Sequence, residues 1–122
     1  MKKEWTMEET VKMPVIALRG LTVFPNVLIH FDVSREISIK ALEEAMASGD
    51  PVFLVGQKDI GVEYPEAKDL YTVGTVSNVR QILRTPGDNV RVMVEGGARG
   101  SLKRLLRSAP FLEAEVQPIQ EE

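Results

Sequence analysis

The chain has no cysteine, one histidine and one tryptophan among its 122 residues. Without cysteine there is no disulfide framework, no thiolate zinc site and no cysteine nucleophile. His30, the lone imidazole, would leave any metal cluster to lean on carboxylates. A Ser-His-Asp arrangement has Ser34 and Asp32 close in sequence, but nothing in the pattern joins them across space. Long apolar runs are missing too, and no stretch has the length a bilayer-spanning helix needs. The opening Met1-Lys2-Lys3-Glu4 carries two lysines with no apolar segment behind them, so it does not read as an export signal. The expected setting is cytoplasmic, with no membrane partner. The glycine-rich run Gly96–Ser101 lacks both the spacing and the strand-to-helix context of a phosphate loop. On residues alone the segment is not an enzyme, and it implies no cofactor or metal of its own.

What is present suits one domain. At this length folding hides roughly two-thirds of the unfolded surface. Charge is unevenly placed. Residues 1–70 carry 8 basic and 12 acidic side chains, residues 71–109 carry 7 and 2, and residues 110–122 carry four Glu. The basic block from Arg80 to Arg107 is open to two readings. It is a nucleic-acid footprint, since clustered Arg releases counterions from phosphates, or it is a set of solvated strand faces. An acidic chain repels a polyanion at long range, which favours the second.

The chain is organised around residues 13–31. Val15-Ile16-Ala17-Leu18 is apolar on both faces and predicts a covered strand, with Pro14 at its entrance. Gly20 breaks it, and Pro25 restarts the chain into a strand with period-two alternation. Val27, Ile29, Phe31 and Val33 take the core face, and Leu28, His30, Asp32 and Ser34 the other. Ser34 is the expected N-cap of a helix whose buried stripe is Ile39, Leu42, Ala45 and Met46. Glu36 and Lys40 form an outer i,i+4 pair, Glu43 and Glu44 stay solvated, and Gly49-Asp50-Pro51 stops the helix.

Val52–Val55 is a short buried strand, and 57–70 a polar loop with one helical turn near Glu66–Leu70. Residues 71–84 read as a strand with a bulge that Gly74 tolerates, since Val73, Val76, Val79 and Ile82 cannot share one face otherwise. A turn at 85–88 joins it to a strand over 89–95. Gly96–Gly100 then breaks the pattern, and 101–107 fits either helix or strand. Phe111–Gln117 alternates as a strand that Pro118 ends. The fold class is therefore α+β and mostly β: about six strands in a twisted sheet or small open barrel with one helix packed on it. Residues 1–12 form a loose lead-in in which Trp5 docks at most locally, 13–118 the domain, and 119–122 the start of a linker.

Binding is what remains. Leu21, Val23, Phe24 and Pro25 sit where the neighbouring residues predict a turn, so their apolar side chains either tuck into the core or stay out for a partner. An exposed apolar patch would suit unfolded polypeptide.

Several motifs together carry a resemblance. Pro14-Val15-Ile16-Ala17-Leu18-Arg19 with Val23-Phe24-Pro25 resembles the opening signature of the N-terminal domain of the Lon ATP-dependent proteases. Arg35-Glu36, the run Ser38–Met46, the run Leu70–Val76 and the run Val90–Gly96 follow in that family's order. The likeness covers roughly residues 12–118. The chain departs from the family pattern at His30 (usually Pro), Asp32 (usually apolar), Ser34 (usually Gly) and the turn Pro86-Gly87-Asp88.

The resemblance implies a twisted, PUA-like β-structure with one helix, which makes 101–107 a strand. It implies a longer parent: a cytoplasmic homohexamer with an AAA+ module using ATP and Mg and a Ser-Lys protease domain, all outside this segment. That parent degrades misfolded and short-lived regulatory proteins, and this domain would recognise them. The other readings are a nucleic-acid-binding barrel using Arg80–Arg107 and a purely architectural or oligomerising module.

Overall fold

A computed structural model describes residues 10–21, 23–87 and 89–119. Six strands and one α-helix follow in the order β1 (Val11–Leu18), β2 (Leu28–Val33), α1 (Glu36–Ser48), β3 (Val52–Gly56), β4 (Val73–Arg84), β5 (Val90–Arg107) and β6 (Leu112–Ile119). A single 3-10 turn at Ala67–Asp69 lies between β3 and β4, where the sequence places one helical turn.

The strands run in the order β2-β5-β4-β3-β1-β6, and β5 also pairs with β6, so five of them close a small barrel. β1 and β3 are parallel and the remaining pairs antiparallel. β5 makes closure possible because it is long enough to pair with β2 through its first half and β6 through its second. The register shift between Val79 and Gln81 is a bulge in β4, and Val79 and Ile82 both pack on the helix-side core; the shift between Thr75 and Ser77 puts its extra residue in β5, and Val73 is exposed.

β1 divides the interior. Its side chains are buried on both faces from Met13 to Leu18. Ile16 and Leu18 join Leu54, Val92, Val94 and the helix residues Ala41, Leu42 and Ala45 in one core. Met13, Val15 and Ala17 join Phe53, Val76, Leu112 and Val116 in the other. Phe53 is fully buried there. Two glycines, directly opposite each other in the β4–β5 register, make room for its ring. A Cβ on Gly74 would lie 2.7 Å from Phe53 Cζ, and one on Gly100 3.2 Å from Phe53 Cε1. Gly74 is therefore a packing requirement as well as a tolerant position beside a bulge.

Several local expectations are corrected. Ser34 is not the N-cap: Arg35 holds that position with no capping side-chain bond, since a guanidinium has no acceptor to offer the helix amides. The buried stripe is Ser38, Ala41, Leu42 and Ala45, while Ile39 is half-buried and Met46 exposed, since the helix turns its flank to the rim. Residues 96–100 are no break; β5 continues through them with a bulge between Gly96 and Arg99. Pro118 lies buried inside β6 rather than ending it, and Pro14 inside β1, which opens at Val11. Gly49 caps α1 in the left-handed region at φ 73°, and the Glu36–Lys40 pair forms at 3.3 Å, both as the spacing requires. Residues 101–107 are strand. Trp5 lies outside the described residues.

Candidate functional site

The connection between β1 and β2 leaves the barrel, returns to it and is fastened at its centre. Val23 is buried in the helix-side core at 5% exposure, with half-buried Leu21 packed against the same cluster. The Thr75 hydroxyl donates to the Val23 carbonyl at 2.7 Å, in a buried setting where a lost partner is costly. The Asn26 amide donates to the Gly96 carbonyl at 2.8 Å, and the Gly96 amide to the Val27 carbonyl at 2.9 Å. Asn26 adopts φ 63°, a left-handed conformation that Asn accepts more readily than most residues. Gly96 must be glycine: a Cβ there would overlap the Phe24 carbonyl oxygen and sit 3.2 Å from its carbon. Gly96 thus serves a long-range approach of backbone to backbone.

The effect is to split the predicted residues. Leu21 and Val23 face inward, Pro25 is half-buried, and Phe24 projects with 54% of its surface exposed. Two further residues extend the apolar surface beyond the sequence prediction. Val27 was expected on the core face, but it precedes the first residue of β2 and is exposed. Leu28 falls on the outer face as the alternation predicts, at 60% exposure. An outward leucine in the alternation was the available signal. Ile29, Phe31 and Val33 take the core side.

Charged pairs border this apolar run. In register, Leu28 lies opposite Glu95, His30 opposite Met93 and Asp32 opposite Arg91. Arg80 binds Glu95, and Arg91 Nε donates to Asp32 at 2.9 Å. That hydrogen bond holds the Asp32 carboxyl below its ordinary value and raises Arg91 above its own. The same pairing runs through the basic block. Arg84 bonds Glu43 at 2.5 Å on the exposed helix exterior, Arg104 bonds Glu115 at 3.0 Å and Arg107 reaches Glu113 at 3.3 Å. At least five of its seven cations are therefore matched by carboxylates, which leaves a weak field for phosphates.

Arg35 is the polar centre that sequence reasoning missed. It donates to the Ala17 carbonyl, to Gln57 Oε1 at 3.0 Å and to the Glu63 carbonyl at 3.4 Å. Buried Gln57 in turn holds the 59–62 backbone through Nε2. Burial first, then the nearby Arg19 guanidinium, lower the proton affinity of Arg35. The network shapes a cleft of about 680 Å3 among Arg35, Ile37, Ile60, Tyr64 and Pro110. Among the described residues no group of His, Asp and Glu is placed to hold a metal ion. No helix there is long and apolar enough to cross a membrane.

The fold and the loop can now be set beside known proteins. The family model for the ATP-dependent protease La (LON) substrate-binding domain matches residues 12–122. The chain belongs to the Lon substrate-binding domain family. It is 48% identical over 115 residues to the Lon protease of Clostridium acetobutylicum, covering 94% of the chain and 15% of that protein. It is 43% identical over 108 residues to the Lon protease of Clostridioides difficile, covering 88% and 14%. The chain thus spans about one-seventh of these Lon relatives. Among solved structures it resembles the N-terminal domain of Mycobacterium avium complex Lon protease, with a TM-score of 0.72 at 19% identity, covering 92% of this chain and 56% of that one. The Lon N-terminal domain protein from Xanthomonas campestris gives 0.68 at 13%, covering 90% and 60%. Both likenesses concern the fold.

Proposed function

We propose that this Lon substrate-binding domain recognises unfolded polypeptide through the loop Leu21–Pro25, with Phe24 as the contacting side chain and Val27 and Leu28 enlarging its surface. Leu21 and Val23 act from inside, by holding the loop in place. The observation that carries this reading is a phenylalanine left more than half exposed on a loop that three hydrogen bonds tie to β4 and β5. A fixed apolar anchor loses little conformational freedom on binding, so its burial is available for affinity. The parent would be an ATP-dependent serine protease: a cytoplasmic homohexamer whose ATP and Mg sites and Ser-Lys dyad lie in other domains, and whose clients are misfolded and short-lived regulatory proteins.

The test is the affinity of a permanently unfolded protein for the chain and for Phe24→Asp. Loss of a central aromatic anchor weakens binding roughly tenfold; unchanged affinity removes this surface from the account. Nucleic acid is the disfavoured partner because the Arg80–Arg107 block is largely paired with carboxylates.

A further inference from the structure

β2 has a hydrogen-bonding partner on one side. Among the described residues it pairs with β5, and it stands at the end of the strand order while the other five strands close on themselves. The phase of that pairing fixes which backbone groups are left over. The Gly96 amide bonds the Val27 carbonyl while Leu28 and Glu95 are direct partners. In an antiparallel ladder this makes Leu28–Glu95 a non-hydrogen-bonded pair, and the two kinds of pair alternate. Ile29, Phe31 and Val33 therefore exchange bonds with β5. The N–H and C=O groups of Leu28, His30 and Asp32 point away from it.

Such a row is complementary to one kind of occupant, an extended polypeptide backbone. The usual guards of an open edge are missing from β2. It contains no proline or lysine, and its register with β5 has no bulge, unlike that of β4 with β5 or β5 with β6. The charge it does carry, Asp32, is engaged by Arg91. The edge is also continuous with Phe24, Val27 and Leu28, and half-buried Ile29 and Phe31 border it on the core side. Its far end meets a cleft of about 160 Å3 shared with Ile16–Leu18, which places the docking stretch at Leu28–His30.

We infer that an unfolded client binds by adding a strand to the free edge of β2, its backbone bonding the Leu28 and His30 main chain while its side chains cover Phe24 and Leu28. This rests on the proposed recognition of unfolded polypeptide and supplies its geometry. It also explains how one surface accepts many sequences, since main-chain bonds carry no side-chain information.

The test uses a permanently unfolded protein as probe, with wild type, His30→Pro and His30→Thr. Proline at position 30 removes an outward donor and leaves the ladder to β5 intact, as edge positions allow. Affinity should fall at least fivefold for His30→Pro and stay within twofold for His30→Thr. Equal binding by all three overturns strand addition while leaving apolar recognition standing. Absence of binding to wild type overturns both. Amide exchange on the unaltered chain gives a second readout independent of the variants. The probe should slow exchange at Leu28 and His30 while Ile29 and Phe31 change little, and no slowing at the first two overturns the proposal.

Discussion

Gly96→Ala tests how the recognition loop is held. The added Cβ would overlap the Phe24 carbonyl, backbone against backbone, with no flexible side chain to yield. Either the loop lifts, losing the Asn26–Gly96 and Gly96–Val27 bonds at about 1 kcal/mol each, or it stays and β5 is overpacked at about 1–3 kcal/mol. The two routes together span about 1–3 kcal/mol. With unfolding entropy of about 2 cal/mol/K per residue, a chain of 122 residues loses about 4 °C of Tm per kcal/mol. A thermal melt followed by circular dichroism should therefore show a fall of about 4–12 °C, with weaker binding of an unfolded protein as Phe24 is displaced. Gly61→Ala is the control. Its Cβ meets only the exposed Asp59 Oδ1 at 3.3 Å, a side-chain atom that can give by a few tenths of an ångström while keeping its bond from the Gly61 amide, so its Tm should move by less than about 2 °C. Equal shifts for the two variants, or none for Gly96→Ala, would refute the close-approach argument.

Other perturbations probe the parts that support the loop. Arg35→Met leaves the Ala17 carbonyl and Gln57 Oε1 without their donor and should cost about 2–3 kcal/mol in urea denaturation, with no rescue by Arg35→Lys because one ammonium cannot span both acceptors. Gly100→Ala crowds Val116 and Phe53 and should cost about 1–3 kcal/mol. Combined with Phe53→Leu it should cost less than the sum, and strict additivity in the double-mutant cycle would contradict the packing described. Asp32 has its folded value held below the ordinary 3.8, so its pairing with Arg91 stabilises the fold above that pH and is lost as pH falls through the folded value. Asp32→Asn should therefore narrow its stability deficit relative to wild type on acidification below about pH 4, and the deficit should be small at any pH because both side chains of the pair lie at the surface, about half exposed.

The locally written parts of the molecule were legible. Period-two alternation gave β2 and β6, a run apolar on both faces gave β1 and β3, and Gly49 with Pro51 marked the end of α1. What escaped depends on partners distant in the chain. The glycines at 96 and 100 looked like a break because the Phe24 backbone and the Phe53 ring, which require them, lie far away in sequence. Arg35 was not legible as a polar centre because its partners Ala17 and Gln57 lie 18 and 22 residues away, and the Glu43 ion pair was not because Arg84 is 41 residues away. The loop was readable as apolar. That Val23 turns in and Phe24 out was not, since the choice is made by Thr75 and Gly96.

The central claim is that unfolded chains meet this domain at the loop carrying Phe24 and the adjoining β2 strand. Amide NMR of the domain titrated with a permanently unfolded protein tests it most directly. The account predicts that chemical-shift changes concentrate at Phe24–His30 and at their β5 neighbours Met93–Gly96. Changes centred on Arg35 and the cleft near Tyr64, or spread evenly over the barrel, would contradict it.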